Sequence, residues 1–252
     1  MRPIVEQNMT TSTVHRKTVA AIVVSAVALA LTASTWAEAT FVALPSKEKA
    51  KSGQTVTLKW AAPDATRLFL SGIGEVDKSG IKSVKVQNHA TYTLVFETKE
   101  GLVSTAFVRV AVDDARGFED QLPHFDAFTS PVTKTVQSVP LTKFLDHVHA
   151  TLQDKLRYSV SFEQISNEFV FRTPYVERTD LVAPSETAIV GRRLAYLVEV
   201  DKPVAATAAL SYSVKTALQY RRRLERVWRP DSDSTRARGQ VDALVTLLQM
   251  LQ

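Results

Sequence analysis

Thr18 to Ala37 is a run of twenty residues without a charge, and it limits where a globular fold can begin. A helix apolar on every side has no face to offer water, so this run cannot be the surface helix of a soluble domain. Arg16 and Lys17 precede it, and Ala37-Glu38-Ala39 places small residues at the two positions that a signal peptidase reads. That is the layout of a secretory signal, here residues 1–39. An N-terminal anchor left in the inner membrane is the alternative, since about 20 apolar residues span a bilayer core. Arg16 and Lys17 would then keep the N-terminus in the cytoplasm. Both readings expect the remaining chain in the periplasm or cell envelope.

The chain has no cysteine, which removes disulfides, thiolate metal sites and a lipoprotein attachment point together. Stability must come from packed cores, which domains of this length can supply. A net charge of +5 over 252 residues is mild. It does not call for nucleic acid, which an exported protein rarely meets.

Residues 40–113 read as short strands between turns. Thr55-Val-Thr-Leu-Lys-Trp60 alternates, with Val56, Leu58 and Trp60 on one face. Thr91 to Phe96 aligns Tyr92, Leu94 and Phe96, and Ser104 to Val112 aligns Ala106, Val108, Val110 and Val112. Shorter runs at Phe41–Leu44, Arg67–Leu70 and Lys82–Val86 complete the set, with Gly53, Pro63-Asp64, Ser71-Gly-Ile-Gly74 and Lys99-Glu100-Gly101 as turns. Strands at this spacing predict a β-sandwich.

Ser52-Gly-Gln-Thr-Val-Thr-Leu-Lys-Trp60, Asp64-Ala-Thr66, Gly72-Ile-Gly74, Ser79-Gly80 and Thr91-Tyr-Thr-Leu94 together resemble a bacterial immunoglobulin-like module. Such modules are strung along exported surface and envelope proteins. The resemblance covers about 60 residues. It implies a sandwich whose core is plugged by Trp60 and faced by the strand of Tyr92. It also implies a spacer, adhesive unit or docking surface rather than an enzyme. Ser79-Gly-Ile-Lys82 matches a Ser-x-x-Lys spacing, but it falls on a turn and a strand rather than at a helix start, and no Lys-Thr-Gly accompanies it.

Residues 114–139 read as a linker. Asp113-Asp114, Arg116-Gly117 and Glu119-Asp120 form a polar break, and Phe125 and Phe128 are expected to tuck onto the next domain. Residues 140–252 read as an α+β domain, an antiparallel sheet with two packed helices. Leu141, Phe144, Leu145, Val148, Leu152 and Leu156 form a helical stripe, with Ser138 a candidate cap. His147 and His149 are two apart, on different sides of that helix, and read as surface residues. Tyr158–Phe162, Phe169–Phe171 and Arg193–Val200 alternate as strands, and 173–188 reads as a long loop or an irregular edge. Ser211 to Arg229 reads as one long strand whose shared face holds Tyr212, Val214, Leu218, Tyr220, Leu224 and Trp228. A closing helix carries Val241, Leu244, Val245, Leu248 and Leu251, opened by Asp233 or Ser234. The fold class is thus an all-β Ig-like sandwich followed by an α+β domain.

The candidate site is a basic face made by Arg192, Arg193, Arg221, Arg222, Arg223, Arg226 and Arg229. Arginine's planar fork matches carboxylate and phosphate oxygens. Trp60, Tyr92 and Trp228 are the candidate core aromatics. No Gly-x-Ser-x-Gly, His-Glu-x-x-His or framed carboxylate pair is present, so the chain is read as non-catalytic, without cofactor or metal. The expected role is a structural or accessory subunit of an envelope assembly, with a protein partner. A periplasmic carrier of a lipid or other anionic amphiphile is the alternative, and an anionic polymer is a further ligand to weigh. A hydrolase of unknown type ranks last.

Overall fold

The alternating run at Gln54–Ala61 forms the long central strand of a small sheet, because its apolar residues at every second position have one face to bury. A computed structural model describes residues 39–44, 50–87, 89–113, 121–178, 189–203, 205, 208–222 and 225–251. The expected leader, Arg223 and Leu224 lie outside the described residues. The described residues are mostly strand, with two α-helices among them.

The first half holds β1 (Thr40–Leu44), β2 (Ala50–Lys51), β3 (Gln54–Ala61), β4 (Ala65–Leu70), β5 (Gly74–Val76), β6 (Ser79–Val86), β7 (Ala90–Thr98), β8 (Val103–Val110) and β9 (Val112–Asp113). They make a three-stranded sheet ordered β1-β3-β6 and a four-stranded sheet ordered β5-β4-β7-β8, with β2 and β9 paired in parallel at one side. Val56, Leu58 and Trp60 of β3 meet Leu68 and Leu70 of β4 and Leu94 of β7 in one core, so the two sheets form a sandwich. The Ser-x-x-Lys stretch Ser79–Lys82 lies within extended β6 and has no helix to open.

The second half holds β10 (Thr129–Val136), α1 (Leu141–Ala150), β11 (Ser161–Ile165), β12 (Glu168–Arg172), β13 (Val176–Arg178), β14 (Ile189–Asp201), β15 (Leu210–Arg222), β16 (Arg229–Pro230) and α2 (Ser234–Gln249). These strands form a seven-stranded antiparallel sheet with main path β10-β15-β14-β12-β11. Leu141, Phe144, Leu145, Val148 and Leu152 are fully buried against it, as the helical stripe predicts. Val241, Leu244, Val245 and Leu248 of α2 join the same core. The Asp233 carboxylate caps α2 by accepting from the Arg236 N–H at 3.0 Å.

Several expectations are corrected here. Residues 129–136, assigned to the linker, form β10 on β15, with Val132 and Val136 buried. The polarity of Thr129-Ser-Pro-Val-Thr-Lys-Thr-Val masks a strand with two inward valines. Tyr158 lies before β11, which begins at Ser161. Of the two readings of 173–188, the irregular edge fits residues 176–178, which pair with β14 as β13 off the main sheet path. Ser138 does not cap α1; Pro140 holds the cap position. His149 is buried, its ring edge-on to Phe69, and burial holds its pKa below the usual imidazole range.

The two halves are not separate beads. β7 buries Leu94 into the sandwich and Thr93, Val95 and Glu97 on its opposite face. Phe69 and Val95 belong to the same core as α1 and the seven-stranded sheet, and Phe69 sits 5.3 Å from the Phe162 ring. The Glu97 carboxylate accepts from both the Thr142 N–H, at 2.8 Å, and the Thr142 hydroxyl, at 2.9 Å. It therefore caps α1 from the neighbouring half of the chain, where negative charge is favoured by the helix dipole. Asp146 of α1 reaches back, accepting from the Glu75 N–H at 3.1 Å. Gly74, at φ +105°, permits that approach, because a Cβ there would strike the Asp146 carboxylate. Thr105 donates to Gln164 at 2.8 Å as a third tie.

Replacing Glu97 by Ala leaves two buried donors on Thr142 unmet. This should lower unfolding stability by about 1–3 kcal/mol, read from urea denaturation midpoints. A change under about 0.5 kcal/mol, the range of ordinary surface substitutions, contradicts the cap.

Candidate functional site

The basic stretch divides because alternate residues of a strand point to opposite faces. On β14 and β15, Leu194, Tyr196, Val198, Tyr212, Val214 and Leu218 face the helices. Ala195, Leu197 and Ala217 face the other way, into a small cluster with Val170 and Phe128. Phe128 is buried there as expected of a tucked linker aromatic, whereas Phe125 stays half-exposed beneath the Arg172 guanidinium, 4.5 Å from its ring centre.

Trp228 does not share the Tyr212 face. β15 ends at Arg222, and β16 folds back so that Tyr220 pairs with Arg229 and Gln219 with Pro230. This return sets the indole on the far face of the sheet, outside the buried cores. Gly191 makes room: a Cβ on it would lie 3.2 Å from the indole Cη2. Two guanidiniums flank the ring, Arg193 at 4.7 Å and Arg221 at 5.2 Å from its centre. Arg193 also lies 4.4 Å from the Tyr175 ring centre and donates through Nε to Gln219 at 2.7 Å. Glu177 closes the cluster, accepting from Arg221 at 3.4 Å. Burial lowers the Arg193 pKa and raises that of the Tyr175 phenol, which the Arg193 charge partly opposes. Guanidiniums stacked on aromatic faces are fixed in direction, and such contacts are worth about 0.5–1 kcal/mol at exposed sites.

The other arginines go elsewhere. Arg192 faces the helices and sits 3.8 Å from Asp231 Oδ2. Arg222 is exposed near the Tyr220 ring, Arg226 is exposed, and Arg229 is exposed with Nε 3.1 Å from Glu225. The structure therefore brings Arg193 and Arg221 together on Trp228, leaves Arg222, Arg226 and Arg229 at the adjoining edge, and sends Arg192 to the opposite face. Tyr175, Glu177 and Gln219 are site residues that sequence reasoning does not find. The Tyr-Val-Glu alternation at 175–177 is the one signal for them, hidden inside an apparent loop.

Trp60 and Tyr92, the candidate aromatics of the sandwich, are well separated in the sequence but share its core. Trp60 is buried, donating to the Asp77 carbonyl at 2.9 Å and crossing Gly80, where a Cβ would collide with its ring. Tyr92 is half-buried against that core, and its pKa is raised by burial. Among the described residues no group of three or more His, Cys, Asp or Glu side chains is placed to hold a metal ion. Among them, too, no helix is long and apolar enough to cross a membrane.

No family model matches the chain, and no curated protein does. A solved structure described as "Structural basis for the promiscuous specificity of the carbohydrate-binding modules from the beta-sandwich super family" is 13% identical. The match covers 73% of this chain and 94% of that one, with a TM-score of 0.24. A superposition this loose carries no argument about fold or function.

Arg193→Ala should cost about 1 kcal/mol in unfolding free energy through lost ring contacts and stem packing. Arg226→Ala should stay within about 0.5 kcal/mol, as exposed substitutions do. Thermal denaturation of both variants checks the contrast, and equal effects contradict the stacked arrangement.

Proposed function

We propose that the chain is a non-catalytic, exported cell-envelope protein in which an immunoglobulin-like module, residues 40–113, presents an α+β interaction module to an acidic protein partner. The protein then acts as a structural or accessory subunit of an envelope assembly. One observation carries this reading: Arg193 and Arg221 are held on the Trp228 ring, with Arg222 and Arg226 exposed at the same sheet end. Guanidiniums already fixed in place lose little freedom when a partner carboxylate arrives. Aromatic and arginine side chains are also the types enriched where binding energy concentrates in protein interfaces. Exposed Val227 adds an apolar point next to Arg226 in the sequence. The close tie between the sandwich and α1 supports a rigid presenting arm rather than a flexible one.

The uncharged run at 18–37 supports the envelope location, and the Ser52–Trp60 and Thr91–Leu94 motifs support the immunoglobulin-like assignment. Crosslinking in intact cells, followed by affinity capture of the native chain, tests the reading. The wild type should recover a defined envelope protein in stoichiometric yield. Arg222→Glu/Arg226→Glu, which alters only exposed side chains, should lower that yield at least about tenfold, the effect of roughly 1.4 kcal/mol. Unchanged recovery of the same protein by the double variant overturns the docking role.

A further inference from the structure

The side chain of Arg192 belongs to a different feature, a groove between α2 and the helix-covered face of the sheet. An open cavity of about 450 Å³ lies there, within the roughly 300–1,000 Å³ of small-molecule sites. Its α2 wall is a single stripe, because Arg236, Gln240, Leu244 and Leu247 recur at steps of three and four. Its sheet wall alternates along β14 as Arg192, Leu194 and Tyr196, with Leu218 paired to Leu194 on β15.

The two walls share a charged end, and the α2 wall grades away from it. At one end, Arg192 and Arg236 converge on Asp231 Oδ2, at 3.8 and 3.1 Å. In the middle the Tyr196 hydroxyl donates to Gln240 at 3.3 Å. Leu194, Leu218 and Leu244 form a buried floor. Leu156 and Leu247 line the rest of the groove, so one stripe of α2 passes from charged through polar to apolar along its length. Two guanidiniums share the Asp231 carboxylate, whose side chain is only 10% exposed. Asp233 lies 3.7 Å from Arg236, and because both side chains are part-exposed solvent weakens this second pairing.

Two guanidiniums share one shielded carboxylate, and the second carboxylate is only loosely paired, so this arginine-lined end and its apolar run complement a ligand with an anionic head and one alkyl chain. We propose that this groove binds a single-chain anionic amphiphile. Its carboxylate or phosphate oxygens sit at Arg192 and Arg236, where arginine donates in bidentate fashion. Its chain lies over Leu194, Leu218 and Leu244 toward Leu247. Arg193 also borders the groove, but its guanidinium lies on Trp228, and the proposal does not depend on the protein-partner reading.

Isothermal titration of the full chain tests the proposal, with dodecanoate, dodecyl phosphate, dodecanol and acetate as probes below any micelle-forming concentration. Dodecanoate and dodecyl phosphate should each saturate one site. Dodecanol should bind at least about tenfold more weakly, and acetate should give no heat of binding. Arg236→Gln should weaken dodecanoate about tenfold and leave dodecanol unchanged. Ala243→Trp, at an exposed position lining the groove, should abolish both without loss of folding cooperativity. Arg222→Glu/Arg226→Glu should leave every titration unchanged, which separates this site from the docking edge. Absence of saturable dodecanoate binding, equal affinity for dodecanoate and dodecanol, or binding that survives Ala243→Trp overturns the proposal.

Discussion

A buried carboxylate on a strand of one half holds the first turn of a helix in the other. Glu97 is 5% exposed and spends its charge on the Thr142 amide and hydroxyl. Burying a carboxylate is costly unless it is hydrogen-bonded, so the pairing has a strong preference for the docked arrangement. Around it the contacts are apolar: Phe69 and Val95 sit in the core that α1 shares with the seven-stranded sheet. The four-stranded sheet is therefore covered on both sides, by the partner sheet of the sandwich and by α1.

That constraint carries through to the two candidate sites. α1 and α2 cover one face of the large sheet, and His147 joins them by donating through Nε2 to the Leu247 carbonyl at 3.0 Å. The groove beside α2 thus has a wall fixed at both ends, by the Asp233 cap and by this contact. On the opposite face the return of β16 puts Trp228 between Arg193 and Arg221. One long strand, β15, and its neighbour β14 supply both places by sending alternate side chains to opposite sides.

The strands of the sandwich are legible because each has one wet and one dry face, as in Val56, Leu58 and Trp60. So are both helices, whose stripes recur at the helical period. β7 is only half legible: Thr93 and Glu97 look like solvent-facing residues, and no local pattern tells that both are buried, Glu97 against a later helix. β10 escapes notice because threonines and a proline surround its two inward valines. The arginine cluster is legible as a composition but not as a geometry. A continuous strand to Arg229 would place Trp228 with Tyr212, and only the reversal after Arg222 moves it across the sheet. Tyr175 and Glu177 come from a segment that pairs through long-range register, which a single sequence does not display. The groove is foreseeable as a space between sheet and helix, but the turn of Arg192 away from Arg193 comes from an alternation that the doubled arginines conceal.

The central claim is that the sandwich and the helix-covered sheet fold as one body through Glu97 and the shared Phe69–Val95 core. Native-state hydrogen exchange across a denaturant series measures this most directly, comparing amides of β3 and β6 with those of β14 and β15. The slowest amides of both sheets should merge into one opening, with the same free energy and denaturant slope. Exchange of either sheet through a separate opening that leaves the other protected would contradict it.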